Sequence, residues 1–194
     1  MPPSIVVLAG PNGAGKSTAA PFLLRDALAV TEFVNADRIA HGLSAFNPDS
    51  VAIEASRLML ARLDDLARRH QTFAFETTLA SRSFAPWLRA RRAEGYDVYL
   101  VFLWLPDPEA ALVRVAERAA QGGHNVPSDI VRRRYAGGLR NFFQLYRPLT
   151  TEWHMYDSSQ LGAPIPLASG RGTDTTLVAD PAQWNSIVRQ WSRT

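Results

Sequence analysis

The segment that most restricts the fold is a glycine-rich turn that directly follows a short apolar run. The run covers residues 4–9 (SIVVLA), and the turn covers residues 10–17 (GPNGAGKS), which fits the pattern G-x-x-x-x-G-K-[ST]. An apolar run without a polar face predicts a strand covered on both sides, as in a parallel sheet. The turn therefore lies between a buried strand and a helix, where this pattern binds phosphate groups.

Each residue type in the turn has a task in phosphate binding. The glycines let the backbone bend so that its amides point inward, Lys16 would reach the β- and γ-phosphates, and Ser17 would ligate Mg²⁺. The sequence thus predicts a site for a nucleotide and Mg²⁺. The predicted nucleotide-binding residues are Gly10, Asn12, Gly13, Ala14, Gly15, Lys16, Ser17 and Thr18.

Composition excludes several other kinds of site. The 194 residues contain no cysteine, which excludes a disulfide framework, a thiolate zinc site and a cysteine nucleophile. Lys16 is the only lysine among 21 basic residues, so an Asn-Lys-x-Asp guanine signature is impossible and a GTPase is disfavoured. The net charge is only +3 and no block of five or more like charges occurs, so we interpret the basic character as arginine bias that argues against a nucleic-acid partner.

The length and hydropathy predict one cytoplasmic domain over residues 1–194. No basic leader precedes the first apolar run, and the longest apolar stretch, residues 99–105, is too short for a bilayer, so no membrane association is expected.

Strands and helices alternate along the chain. We expect further strands at residues 32–34, 72–75, 97–105, 153–156 and 175–178, helices at 16–29, 48–70, 84–94, 108–121, 128–146 and from 181, and a loop or hairpin arm at 161–172. This alternation predicts an α/β fold of the P-loop NTPase type, with a mostly parallel sheet flanked by helices. Ligands of such sheets lie beyond the carboxyl ends of the strands. The residues to inspect are therefore Gly10, Asp37, Glu76 and Asp107.

Two acidic residues follow predicted strands. Asp37 is a candidate general base toward an attacking hydroxyl, or else the N-cap of a short helix at residues 38–42. Glu76 precedes two threonines and could bind a polyol, a ribose or a metal-bound water, or else join a capping network for the helix from Ser83. Asp107, which follows a proline, fits poorly as the magnesium-binding aspartate of an ATPase.

Arginines flank the loop at residues 122–127, which is a candidate lid. Arg114 and Arg118 lie one helical turn apart before it, and residues 132–134 are all arginine after it. Helical periodicity turns Arg133 toward solvent and sets Arg134 on a flank with Gly138, where small residues would leave room for a ligand. Arg118 and Arg134 are thus the candidates for offsetting charge on a migrating phosphoryl group.

A single histidine stands in the candidate lid. His124 would lie at its tip near the substrate, or else have no role. The four histidines show no metal-ligand spacing.

These segments together resemble the zeta toxin family of P-loop kinases, including its small stand-alone members. The resemblance covers residues 4–159 and leaves a C-terminal extension at 160–194 outside it. Its motifs are residues 10–18, VNAD at 34–37, FETTL at 75–79, GYDV at 95–98, the arginine pair at 114–118, GGHNVP at 122–127, RRY at 133–135 and YDSS at 156–159.

The resemblance implies a kinase with a helical lid at about residues 118–134 that uses ATP and Mg²⁺ to phosphorylate the 3′-hydroxyl of UDP-N-acetylglucosamine. It also implies an antitoxin as a protein partner. Its site assignments are Asp37 as the catalytic base, Lys16 as the phosphate-loop lysine, Glu76 and Thr78 as substrate-binding residues, and Arg118 and Arg134 around the transferring phosphate. Arg57, on the long helix, would contact substrate or else belong to the helix surface.

The sequence therefore predicts an ATP-dependent small-molecule kinase. Two alternatives stay open: a nucleotide-binding regulatory protein without metabolite kinase activity, and a kinase acting on nucleic acid.

Overall fold

A computed structural model describes residues 2–26, 28–121, 126–160 and 162–192. The strands are β1 (Ser4–Ala9), β2 (Phe33–Val34), β3 (Phe73–Thr77), β4 (Asp97–Trp104), β5 (Glu152–Asp157), β6 (Ile165–Arg171) and β7 (Asp174–Val178). The α-helices are α1 (Lys16–Ala20), α2 (Ala36–Leu43), α3 (Ala52–Arg68), α4 (Phe84–Ala93), α5 (Pro108–Ala120), α6 (Ser128–Asn141) and α7 (Pro181–Trp191).

The strands form one seven-stranded sheet in the order β2-β3-β1-β4-β5-β6-β7. Neighbours from β2 to β5 run parallel, and β6 and β7 are added antiparallel. The predicted α/β fold with a mostly parallel sheet is confirmed. Because β3 and β4 both pair with β1, the chain segments that leave these three strands lie side by side at one edge.

The central strands are apolar because both of their faces are covered. β1 and β4 are buried along nearly their whole length, and the helices contribute apolar faces to the same core. The aromatic side chains Phe73, Phe75 and Phe102 are fully buried between the layers.

Several predicted element boundaries differ from the structure. The helix expected at 16–29 is α-helical only to Ala20 and continues as a π-helix over Pro21–Asp26, since Pro21 has no amide hydrogen for the ladder. The helix expected at 128–146 likewise changes to a π-helix over Phe142–Tyr146. A 3₁₀ turn, Pro48–Val51, precedes α3, and a second, Arg147–Leu149, precedes β5.

The segment at 161–172 is largely a strand, β6, in a hairpin with β7. Its glycines serve the hairpin. A Cβ at Gly170 would stand 2.6 Å from Cζ2 of Trp153, and Gly172 has a φ of +52° in the turn. The ring of Trp184 in α7 stacks on Trp153 in β5 with centroids 5.5 Å apart. The C-terminal elements thus pack on the same core as the sheet.

Within the described ranges, no helix is long and apolar enough to cross a membrane.

Candidate active site

Two glycines of the turn after β1 are required by close packing and backbone conformation. Gly10 has a φ of +143°, and a Cβ there would overlap the carbonyl oxygen of Leu103 in β4. Gly13 has a φ of +79°, and its Cβ would lie 2.8 Å from the carbonyl oxygen of Ala111 in α5. The turn is therefore held between β4 and α5, with α1 beginning directly after it.

Lys16 is buried beneath the turn, with 6% of its surface exposed. Its Nζ donates hydrogen bonds of 2.9 Å to the carbonyl oxygens of Gly10 and Pro11, and it lies 3.7 Å from Oε1 of Glu76. Burial lowers the pKa of Lys16 below its ordinary value, Glu76 and Asp37 oppose that shift, and Arg118 adds to it. The ammonium group thus lies in the electrostatic range of both acidic candidates and of one arginine.

Glu76 is the centre of a small polar cluster at the end of β3. Its Oε2 accepts a 2.9 Å hydrogen bond from Oγ of Ser17 and a 2.7 Å hydrogen bond from Nδ2 of Asn35. The alternative that Glu76 caps the helix after Ser83 is not what the structure has. Its hydrogen bonds go to α1 and to the residue after β2, and the amide of Ser83 bonds to Oγ of Ser81 instead.

Asp37 lies in the first turn of α2 with its side chain exposed. The alternative that Asp37 is an N-cap is wrong, because Asn35 has that role. Oδ1 of Asn35 accepts a 3.1 Å hydrogen bond from the amide of Arg38. Asp107, by contrast, is a cap. Its carboxylate accepts a 2.7 Å hydrogen bond from the amide of Ala110 at the start of α5.

Arg114 connects α5 to the segment after β5. Its guanidinium donates hydrogen bonds of 2.6 Å and 2.8 Å to the carbonyl oxygens of Ser158 and Ser159. Oγ of Ser158 in turn donates a 2.8 Å hydrogen bond to the carbonyl oxygen of Ala14. These contacts join the phosphate loop, α5 and the segment after β5 into one wall.

The sequence had indicated that the small residues beside Arg134 leave room for a ligand, but protein atoms fill that space. A Cβ at Gly138 would overlap the carbonyl oxygen of Thr78, and one at Gly137 would lie 3.6 Å from Ala80. Asn141 donates a 2.7 Å hydrogen bond to the carbonyl oxygen of Leu79. The two glycines let α6 pack closely against the backbone that follows β3, and the hydrogen bond from Asn141 holds it there.

A cavity of about 790 Å³ opens at the carboxyl edge of the sheet. Most predicted site residues line it: Asn12, Gly13, Gly15, Lys16, Ser17, Thr18, Asp37, Glu76, Thr78, Arg118 and Arg134. The phosphate loop, both acidic candidates and both arginines are thus brought to one cavity, although they come from five different parts of the chain.

Four predicted residues are not placed on the cavity wall. Gly10 and Ala14 are buried under the turn, where their carbonyl oxygens accept the hydrogen bonds from Lys16 and Ser158. Arg57 is exposed on α3 away from the cavity lining. His124 and its neighbours at 122, 123 and 125 lie outside the described residues. The predicted lid at 118–134 is therefore described only up to residue 121 and from residue 126.

The sequence reasoning missed the roles of Asn35 and Ser158. Both are buried and polar, and each joins the site through a side-chain hydrogen bond. An asparagine directly before a helix is an N-cap signal, so the first contact of Asn35 was readable from the sequence. The bonds from Asn35 to Glu76 and from Ser158 to Ala14 join separate strand ends and were not readable from the sequence.

The oxygen atoms around Ser17 suit a magnesium ion that arrives with a nucleotide. The hydroxyl of Ser17 lies against the Glu76 carboxylate, and the Asp37 carboxylate lines the same cavity. The described part of the chain has no cluster of three or more His, Cys, Asp or Glu that would hold a metal alone. Mg²⁺ usually binds through one or two carboxylates together with substrate phosphates and water, and this donor set fits that mode.

Comparison with known sequences gives a family and a relative. The model of the family described as AAA domain matches residues 5–145. An uncharacterized protein of Haemophilus influenzae is 31% identical over 126 residues, which are 65% of this chain and 88% of the relative.

Solved structures share the fold at low sequence identity. A chain of the AvrRxo1-ORF1:-ORF2 complex with ATP has a TM-score of 0.71 at 18% identity over 99% of this chain, which spans only 65% of that longer chain. The PezAT chromosomal toxin–antitoxin system of Streptococcus pneumoniae gives 0.62 at 14% identity, covering 97% of this chain and 78% of that one. A gluconokinase from Sinorhizobium meliloti gives 0.51 at 17% identity, covering 82% of this chain and 84% of that one. At these identities the likeness shows the fold alone, an α/β fold of the P-loop NTPase type.

Proposed function

The chain belongs to the AAA domain family, and we propose that it is an ATP-dependent kinase that transfers the γ-phosphate of ATP to a hydroxyl group of a small molecule. One observation carries the proposal. A phosphate loop with a buried lysine shares a single cavity with an exposed carboxylate and two arginines. These are the groups that phosphoryl transfer to a hydroxyl requires.

The order of the strands supports a position for each substrate. The phosphate loop follows β1, at the middle of the parallel part of the sheet. Asp37 follows β2 and Glu76 lies near the end of β3 on one side of it, whereas Arg114 and Ser158 belong to the segments after β4 and β5 on the other. The acceptor therefore binds on the Asp37 side, and the nucleoside of ATP extends toward Ser158.

The proposed reaction is an in-line transfer. The acceptor oxygen forms a bond to the γ-phosphorus while the bond from that phosphorus to the β,γ-bridging oxygen breaks, and ADP leaves. Asp37 accepts the proton of the attacking hydroxyl. Lys16, Arg118 and Arg134 offset the negative charge on the migrating group and on the leaving ADP.

The residues that would hold Mg²⁺ are Ser17 and, from the neighbouring strand end, Glu76. Bound together with ATP, Mg²⁺ neutralises charge on the β- and γ-phosphates. The contacts of Glu76 with Ser17 and Asn35 thus favour a role in holding Mg²⁺ beside the phosphates, in addition to the predicted contact with substrate.

For the acceptor we propose a nucleotide sugar such as UDP-N-acetylglucosamine. The support is the sequence resemblance to zeta toxins and the position of Thr78 beside Glu76 on the cavity wall. The cavity volume of about 790 Å³ lies in the range of small-molecule sites.

The test is ATP consumption by the purified chain against a panel of UDP-sugars and simple polyols, with the product analysed by mass spectrometry. We expect at least one UDP-sugar to raise turnover, and Asp37→Asn to lower kcat by about 100-fold or more while ATP still binds. Asp107→Asn is the matched control, because Asp107 is a cap outside the cavity. A panel without any active acceptor, or full activity in Asp37→Asn, contradicts the proposal.

A toxin role with an antitoxin-like partner is a separate part of the proposal. Two structural neighbours are components of two-protein systems, AvrRxo1-ORF1:-ORF2 and PezAT. For a toxin of this kind we expect expression of the wild-type chain, but not of Asp37→Asn, to slow bacterial growth. Equal growth of both strains counts against that role.

A further inference from the structure

We propose that Asn35 is a positioning residue that fixes the start of α2, and with it Asp37, against the phosphate loop. The catalytic consequence rests on the proposed kinase function, whereas the structural link does not. The side chain of Asn35 is buried, with 5% of its surface exposed, and lies between the two acidic residues of the site.

The contacts of Asn35 form a continuous chain of hydrogen bonds across three elements. Its Oδ1 accepts from the amide of Arg38 at 3.1 Å, which caps α2. Its Nδ2 donates to Oε2 of Glu76 at 2.7 Å, and the same oxygen accepts from Ser17 of α1 at 2.9 Å. The first turn of α2 is thus connected through β3 to the phosphate loop.

The chemistry of the position selects an amide. The side chain must accept on one side and donate on the other, and both groups must lie on one planar, short side chain. Aspartate keeps the acceptor for the cap but has no donor for Glu76. Serine also caps helices, but its single hydroxyl cannot reach both partners. Asparagine supplies both bonds, and the bond to a carboxylate is of the stronger, charge-assisted kind.

The consequence is geometric. Asp37 is two residues beyond Asn35, at the second position of α2, so any movement of the helix start moves its carboxylate. A misplacement of about 1 Å in a catalytic group can cost about 100-fold in rate. Asn35 therefore sets the position of the proposed base without touching the reacting atoms.

The first variant is Asn35→Asp, which retains the acceptor of the cap, removes the donor and sets a second carboxylate against that of Glu76. With ATP and an acceptor that the wild-type chain uses, we expect kcat to fall by about tenfold to 100-fold with a much smaller change in the KM for ATP. Asp180→Asn is the control, because Asp180 caps α7 through the amide of Gln183 and lies away from the cavity.

The second readout needs no acceptor. Hydrogen exchange at the amides of Arg38 and Ile39 reports how firmly the start of α2 is held, because both bond to Asn35. We expect Asn35→Asp to accelerate their exchange by about tenfold. In the double variant Asn35→Asp with Glu76→Gln, the amide donor is at position 76 and the carboxylate acceptor is at position 35. We expect this variant to return hydrogen exchange at Arg38 and Ile39 to near the wild-type rate.

These measurements separate the possible failures. If exchange at Arg38 changes by less than about twofold in Asn35→Asp and kcat stays near the wild-type value, the proposal is overturned. If the double variant does not restore slow exchange, the bond to Glu76 is not what holds α2, and the proposal also fails. If the wild-type chain phosphorylates no acceptor, the kinase function fails, and the exchange data alone decide whether Asn35 holds α2.

Discussion

The hydroxyl of Ser17 donates a 2.9 Å hydrogen bond to Oε2 of Glu76, although the two residues are 59 positions apart in the chain. The contact exists because β1 and β3 are parallel neighbours and both end at the same edge of the sheet. It places a carboxylate directly beside the residue that the sequence marks as a magnesium ligand.

We expect Glu76→Gln to weaken the effect of Mg²⁺ on ATP binding. The amide is nearly isosteric but removes the negative charge beside Ser17 and Lys16. Calorimetric titration with ATP, with and without MgCl₂, should show the gain in affinity from Mg²⁺ reduced by about tenfold. Glu109→Gln, which alters an exposed carboxylate paired with Arg132, should bind as the wild-type chain does.

Lys16→Arg should lose activity although it conserves charge. The ammonium fits between two carbonyl oxygens in a buried space, and a planar, longer guanidinium does not. We expect kcat/KM to fall by about 100-fold or more. The reverse exchange at an exposed site, Arg140→Lys, is the control. An active Lys16→Arg enzyme would show that only positive charge is needed there.

One of three adjacent arginines should matter for catalysis. Arg134 lines the cavity, Arg133 is exposed, and Arg132 pairs with Glu109 at 3.1 Å. We expect Arg134→Ala to lower kcat by about 100-fold, because a cation near the migrating phosphoryl group is removed, and Arg133→Ala to stay within about twofold. Steady-state kinetics on the two variants decide. Similar losses in both would reject the assignment of Arg134.

Gly138→Ala should destabilise the protein. The new methyl group would overlap the carbonyl oxygen of Thr78, so α6 must move away from the segment after β3. We expect a loss of about 1–3 kcal/mol in the free energy of unfolding, measured by urea denaturation. Gly42→Ala in α2 meets no atom within 4 Å and should be neutral or slightly stabilising. Equal stability of both variants would mean that α6 adjusts without cost.

Tyr146 should make stability depend on pH in the alkaline range. Burial raises its pKa to about 12 from the ordinary value of 10.0, and its hydroxyl donates to the carbonyl oxygen of Ser81. The unfolded chain loses this proton first, so the contribution to stability is complete below about pH 10 and is lost as the pH rises through about 12.

We therefore expect the free energy of unfolding of the wild-type chain to fall by about 2 kcal/mol more than that of Tyr146→Phe between pH 9 and 12. Denaturation series at several pH values provide the measurement. Parallel curves for the two proteins would exclude this role of Tyr146.

The sequence was sufficient to predict those parts of the site that depend on a continuous motif or on the alternation of strands and helices. The phosphate loop is a continuous motif, and the rule that parallel strands end at one edge correctly brought Asp37 and Glu76 to one cavity. Arg118 and Arg134, which were selected from the flanks of the candidate lid, line the same cavity. The resemblance to a kinase family selected the same residues independently.

Glycine was the residue that sequence reasoning interpreted least well. Gly138 was taken as a sign of ligand space, and the segment that contains Gly170 as a loop or hairpin arm, of which the hairpin is what the structure has. Both glycines allow another part of the chain to approach closely. A missing side chain looks the same in a sequence whether the space is taken by a ligand, a carbonyl or a ring. The link from Asn35 to Glu76 was also out of reach, because it depends on β2 being the neighbour of β3.

The burial of Lys16 has a practical consequence for chemical labelling. It is the only side-chain amine in the 194 residues, and the chain has no thiol. Among side chains, reagents that label amines or thiols therefore have one target atom, Nζ of Lys16. That atom is enclosed by the turn whose shape it helps to hold. Acylation of a lysine side chain in this protein would therefore report on the opening of the phosphate loop alone, without any engineered label.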